Sequence, residues 1–190
     1  MNAAHFIELS HSESFISNAL AQSPRVSVDI LELRTTDEGL CSANLFACRK
    51  NEVPNEAVAF FTLLNHALHF YEEWPMSETS ANDLKSIANK WLTPEIQKAQ
   101  DTSYSDALAQ IEDITSSIQY HIKEKVNSRS MYNPDRWGVF LNGEKLSGPH
   151  EAWTPLPNCN VIALANEWNE MEFLYEASNS FILFSWGTGA

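Results

Sequence analysis

The chain has 190 residues, of which 44% are hydrophobic and 11% aromatic, and it carries a formal net charge of −13. That length suits one ordinary domain, and the apolar content belongs to a globular chain rather than a disordered one. So acidic a surface repels phosphate backbones, which argues against direct nucleic-acid binding through basic contacts; it steers basic proteins and cations instead.

In chain order, Ser10 and Glu13 are placed as a capping box for a helix from about Ser12 to Gln22, which Ser23-Pro24 ends. The leading segment MNAAHFIELSHSESF has neither a basic region nor a long apolar run, so no secretory signal is expected and the expected location is cytoplasmic. RVSVDILELR alternates Val26, Val28 and Ile30 against Ser27 and Asp29, which predicts a strand. Asp37-Glu38-Gly39 is then a turn, and LCSANLFACR the return strand of a hairpin.

Pro54 opens a long helix that Pro75 closes. Its polar residues Glu56, Thr62, Asn65, His66, His69, Glu72 and Glu73 form a narrow stripe, so most of its circumference should be buried, with Phe70, Tyr71 and Trp74 as core anchors. Ser80 with Asp83 caps a second helix whose apolar stripe is Leu84, Ile87, Ala88 and Trp91, and Thr93-Pro94 restarts a helix in a new direction. Ser103 with Asp106 caps another, with Tyr104, Leu108, Ile111, Thr115, Ile118, Ile122 and Val126 facing the core. Residues 53–128 are therefore a helical block.

Residues 136–186 change character and read mainly as antiparallel strands. RWGVFLNGEKL is a hairpin about the Asn142-Gly143 turn, and NVIALANEW, MEFLYEA and SFILFSW form a meander with short connectors. The last strand is apolar on both faces, which places it centrally. In MEFLYEA, Glu172 and Glu176 flank Leu174 on one face, expected to be acidic and solvent-facing. The expected fold class is α+β, one domain over 1–190: an N-terminal helix and β-hairpin, the helical block, and a C-terminal antiparallel meander, with the strands forming one sheet packed on helices.

Chemical motifs are sparse. No P-loop or GxSxG elbow occurs, and Gly187-Thr188-Gly189 is not followed by a helix that could hold a phosphate. His11-Ser12-Glu13 has the H-x-E form of zinc deaminases, but Cys159 lacks the second cysteine that chemistry needs. Cys41, Cys48 and Cys159 make no framework and read as reduced, packing thiols. The strongest enzyme candidate is NHALHFYEEW, where His66, His69 and Glu72 or Glu73 share one helix face and could ligate zinc or iron. The same residues also form the helix's polar edge, which is the preferred interpretation, so no metal, no other cofactor and no catalytic residue is expected. No apolar stretch approaches the roughly 18 residues of a membrane span.

The more distinctive pattern is aromatic residues among acids. Trp153 and Trp168 stand in PHEAWTPLP and NEWNEMEF, whereas Trp74, Trp91 and Trp186 lie in apolar patterns that suggest core. Every charged residue after Lys145 is a glutamate. Rings supply buried area and cation–π contacts while carboxylates supply steering, the combination a surface for a basic protein uses. The candidate partner-facing residues are Glu151, Trp153, Glu167, Trp168, Glu170, Glu172 and Glu176. With its acidic C-terminal stretch NEWNEMEFLYEASNSFILFSWGTGA, the chain resembles the bacterial immunity proteins that neutralise polymorphic toxins. That resemblance implies a non-enzymatic protein that blocks a cognate basic toxin by stoichiometric binding. An acidic phage-type regulator or nucleic-acid mimic is the other non-enzymatic alternative.

Overall fold

The structure is a computed structural model, and it describes residues 1–35, 42–71, 85–86, 88–128, 136–147 and 153–188. Helices α1 (Ala3–Ser10) and α2 (Glu13–Gln22) lead into strands β1 (Val28–Arg34) and β2 (Ser42–Arg49). Helix α3 (Glu56–Tyr71), a π turn at Ala88–Leu92, α4 (Thr93–Gln97), the short strand β3 (Gln100–Thr102) and α5 (Tyr104–Ser128) follow. Strands β4 (Gly138–Leu141), β5 (Glu144–Lys145), β6 (Val161–Glu167), β7 (Glu170–Glu176) and β8 (Ser180–Gly187) complete the chain. The fold is α+β with a C-terminal meander, as the patterning predicts, and among the described residues no helix is long and apolar enough to cross a membrane.

All eight strands form one antiparallel sheet in the order β3-β6-β7-β8-β2-β1-β4-β5. The doubly apolar β8 is central, between β7 and β2. Its Phe181 and Leu183 pack with β2 Phe46 and α3 Phe60, Leu63 and Leu64 on one side of the sheet, in a core that α1, α2 and α4 also enter. Its Ile182 and Phe184 pack with Leu45 and with Ala107, Ile111, Ile114 and Ile118 of α5 on the other. The sheet is thus a middle layer, with α1 to α4 on one face and α5 on the opposite face.

Local chemistry explains most of the elements. Ser12 Oγ accepts the Phe15 amide as the N-cap of α2, and Ser103 Oγ accepts that of Asp106 at the start of α5. At the β4–β5 turn Asn142 and Gly143 take φ of 52° and 80°, the left-handed pair a two-residue hairpin requires.

Three local expectations change. Ser10 does not open a helix but closes one: α1 precedes α2 and is capped by Asn2, whose side chain accepts the His5 amide. Thr93 is no cap, because Leu92 stays in the right-handed helical region and the π turn runs directly into α4. Pro94 offers no amide and crowds the carbonyl four residues back, which the wider turn accommodates. Strand β3, three residues long, has no alternating pattern of its own and exists because β6 offers it an edge.

Phe46, fully buried on β2, meets Phe70 and Tyr71 edge-on at centroid distances of 5.5 and 6.0 Å. Phe46→Ala should cost about 3–5 kcal/mol in urea denaturation, whereas Trp168→Ala, at a residue 78% exposed, should stay within about 0.5 kcal/mol.

Candidate functional site

The antiparallel registers align one residue from each central strand into a row across the α3-covered face. Phe140 faces Glu32, Glu32 faces Asn44, Asn44 faces Ser185, Ser185 faces Glu172, and Glu172 faces Ala165. The neighbouring row on the same face is apolar throughout: Ile30, Phe46, Leu183, Leu174 and Ile162. Helix α3 packs along that apolar row, and its Tyr71 reaches the polar one.

Tyr71 ties the polar row together. Asn44 Nδ2 donates to Tyr71 Oη at 3.0 Å, Tyr71 Oη donates to Ser185 Oγ at 3.0 Å, and Ser185 Oγ donates to Glu172 Oε1 at 3.3 Å. Tyr71 as a residue is 49% exposed while its hydroxyl is held inside this chain, and burial raises its pKa. At the other end of the row Arg34 Nε donates to Glu32 Oε2 at 3.0 Å, and Arg34 Nη2 donates to the same oxygen. The Arg34 guanidinium lies 4.5 Å from the centre of the Phe140 ring.

The Glu172 end opens into a cleft of about 700 Å³ between α3, the π turn, α4, β3, β6 and β7. Its described walls carry five carboxylates, Glu95, Asp101, Glu167, Glu170 and Glu172, and one ammonium, Lys98. Three of the charged groups are already engaged: Lys98 Nζ donates to Glu95 Oε1 at 2.9 Å, and Asp101 Oδ1 accepts the Ala3 amide at 2.7 Å. Burial first, then the charges of Glu95 and Glu170, push the half-buried Glu172 carboxyl up to about 7, against the Ser185 hydroxyl and Lys98. Tyr71 and Trp91 line the cleft, and Trp168 stands on the β6–β7 turn between its wall residues Glu167 and Glu170.

The proposed partner-facing residues divide among several places. Glu167, Glu170 and Glu172 come together in the cleft wall, with Trp168 on the turn between the first two. The glutamates of β7 lie on the face that α3 covers, so Glu172 is half-buried rather than spread on open surface. Glu176 shares that face but sits at the far end of β7, roughly 20 Å from Glu170 at the rise of an extended strand, where it accepts Lys50 Nζ at 2.6 Å. Trp153 lies on the opposite face, against the α5 core, with its carbonyl accepting the Tyr175 hydroxyl at 2.6 Å. Glu151 lies outside the described residues.

Four cleft residues escape the sequence patterns: Tyr71, Trp91, Glu95 and Lys98. Trp91, expected in the core, is 37% exposed. One usable signal exists for the polar row. Glu32, Asn44 and Ser185 each have one strand neighbour two residues away, Ile30, Phe46 and Leu183, that is apolar and buried or half-buried, so their side chains turn to the same inner face.

The histidine stretch is positioned by a buried helix. Thr62 and Asn65 are fully buried and His69 is 6% exposed, so the polar stripe is not a wet surface. His66 Nε2 lies 3.1 Å from the Ser23 carbonyl, and burial lowers its pKa. Glu72, Glu73 and Trp74 lie outside the described residues; among the described ones no group of three or more His, Cys, Asp or Glu is arranged to hold a metal. Cys48 is a free, buried thiol whose pKa is pushed up to about 12 by desolvation, and Cys159 is free and partly buried; Cys41 lies outside the described residues.

No family model, no curated protein and no solved structure matches the chain.

The raised Glu172 pKa has a stability consequence with a definite sign. The native state holds this proton up to about pH 7 while the unfolded chain releases it near 4.5, so native stability falls as pH rises through that window and is level above it. Glu172→Gln mimics the protonated form and escapes the loss. In urea denaturation the variant should match the parent at about pH 4, below the unfolded-state value, and exceed it by about 1–3 kcal/mol at pH 8, a range that allows for solvent screening of a half-buried group. Parallel pH profiles for the two proteins would mean that Glu172 titrates normally.

Proposed function

We propose that this protein is a non-enzymatic binding protein of the immunity type, which neutralises a basic partner, a cognate bacterial toxin, in the cytoplasm. The acidic, aromatic-rimmed cleft is the surface that engages it. One observation carries the reading. Of the four large hydrophobic side chains exposed among the described residues, Tyr71 and Trp91 line the cleft, Trp168 stands on the turn between its wall residues Glu167 and Glu170, and Tyr120 lies away from it on α5. Exposed aromatic residues gathered in one place mark a docking surface, and five carboxylates around them select for a cationic occupant.

The electrostatics supports the same partner class. A chain of net charge −13 accelerates encounter with a basic protein, and the cleft concentrates that charge where rings supply contact area. On this reading no bond is made or broken and no cofactor takes part.

The test starts from gene order: a toxin-like reading frame immediately upstream is the expected source of the partner, and its product should bind this protein one to one. Charge reversal at Glu95, Glu167 and Glu170 together should weaken the complex roughly hundredfold and flatten its salt dependence. Trp168→Ala should weaken it roughly tenfold while leaving stability nearly unchanged. Retention of full affinity and salt dependence by the triple variant would exclude the cleft. Competition with DNA for the partner's binding site would point instead to a nucleic-acid mimic.

A further inference from the structure

We infer that the Glu172 end of the polar row is a seat for the guanidinium of an arginine that the basic partner extends into the cleft, an inference that rests on the binding reading above. The chain contains its own template for such a seat. Glu32 and Glu172 stand near opposite ends of one row on one sheet face. Glu32 is answered from within, by Arg34 donating through Nε and Nη2 and stacking over Phe140.

Glu172 has the carboxylate and the rings but a different set of neighbours. Glu170, two residues earlier on the same strand face, and Glu95 from α4 raise the local negative charge. Among the described residues Glu172 accepts one hydrogen bond, from Ser185 Oγ at 3.3 Å, and the cleft's cation, Lys98, hydrogen-bonds Glu95 instead. Tyr71 and Trp91, both exposed, line the same cleft, and the Lys90 ammonium lying 5.0 Å from the centre of the Trp91 ring marks that face as one that takes a cation, as Phe140 does for Arg34. The element present at the Glu32 end and not supplied by the described residues at the Glu172 end is a guanidinium.

The shape favours a side chain delivered by an extended segment. A second cavity of about 430 Å³, reaching Asn44, Ser185 and Trp186, shares Tyr71, Glu170 and Glu172 with the first. The two together form a groove passing over the two glutamates, which a peptide can cross while one side chain points inward. Guanidinium suits the site better than ammonium: it is planar, stacks on rings, is less strongly hydrated, and forks onto paired carboxylate oxygens.

The test uses the whole protein with hexa-arginine amide, hexa-lysine amide and spermine as probes, in calorimetric titrations at low salt and pH 8, above the raised Glu172 value. Hexa-arginine should bind one to one and roughly tenfold more tightly than hexa-lysine or spermine. Glu172→Gln, which keeps the side-chain shape and can accept from Ser185, should lose roughly tenfold of the hexa-arginine affinity. Glu112→Gln, an equal change of charge at an exposed site on α5, should stay within about twofold. Equal affinity for hexa-arginine and hexa-lysine, or equal behaviour of the two Gln variants, overturns the seat; spermine binding as tightly as hexa-arginine reassigns it to a free polyamine and overturns it too. The Glu95, Glu167 and Glu170 charge-reversal variant separates the two levels. If it abolishes all polycation binding while the seat fails, the cleft reading survives alone; if it still binds, both fall.

Discussion

The pairing of Ser42–Arg49 with Ser180–Gly187 is the constraint from which the rest of the molecule follows. Eight residue pairs join the N-terminal hairpin to the C-terminal meander, and they do so at a strand that is apolar on both faces. A strand of that kind cannot be an edge, because each face must be covered; α3 on one side and α5 on the other are the consequence. Since strand side chains alternate with period two, the ladder also decides which polar residues meet. A shift of one residue would separate Asn44 from Ser185 and send the polar row to the other face.

That row is a local concession in an otherwise apolar face. Buried polar groups are tolerated only when hydrogen-bonded, and Tyr71 satisfies the middle of the row by accepting from Asn44 and donating to Ser185. The ends of the row are settled differently. Glu32 is buried with Arg34 across it, whereas Glu172 is half-buried among acids and retains its proton to about pH 7. Like charges crowded together destabilise a fold, so one that keeps Glu95, Glu170 and Glu172 around one opening gives up stability there. On the proposed reading a cation from the partner recovers it, so the strain of the free protein becomes affinity in the complex.

Much of the architecture was legible before any coordinates. The hairpin about Asn142-Gly143, the Ser103 cap of α5, the meander and the central position of β8 all follow from turn residues, caps and period-two patterning, which are short-range signals. What escaped was either very short or misleading in sequence. Strand β3 has three residues and no pattern, and Ser10 in front of Glu13 imitates a cap that Ser12 provides. Trp91 repeats at helical spacing with apolar residues, yet it borders a cleft, because spacing reports the face of a helix and not what stands opposite it. The acids of β6 and β7 were visible as acids; their grouping with Trp168 was visible too, since they are neighbours along the chain.

By itself, then, the sequence determined the α+β class, the central strand, the acidic character and the Glu167-to-Glu172 part of the site, since each depends on composition or on residues close together in the chain. Only tertiary structure decided that Tyr71, Glu95 and Trp91 join them, that Trp153 and Glu176 do not, and that Glu172 faces a cleft instead of open solvent. The reason is physical: those facts depend on the register between strands more than a hundred residues apart and on which end of the sheet α3 reaches, neither of which any local pattern encodes.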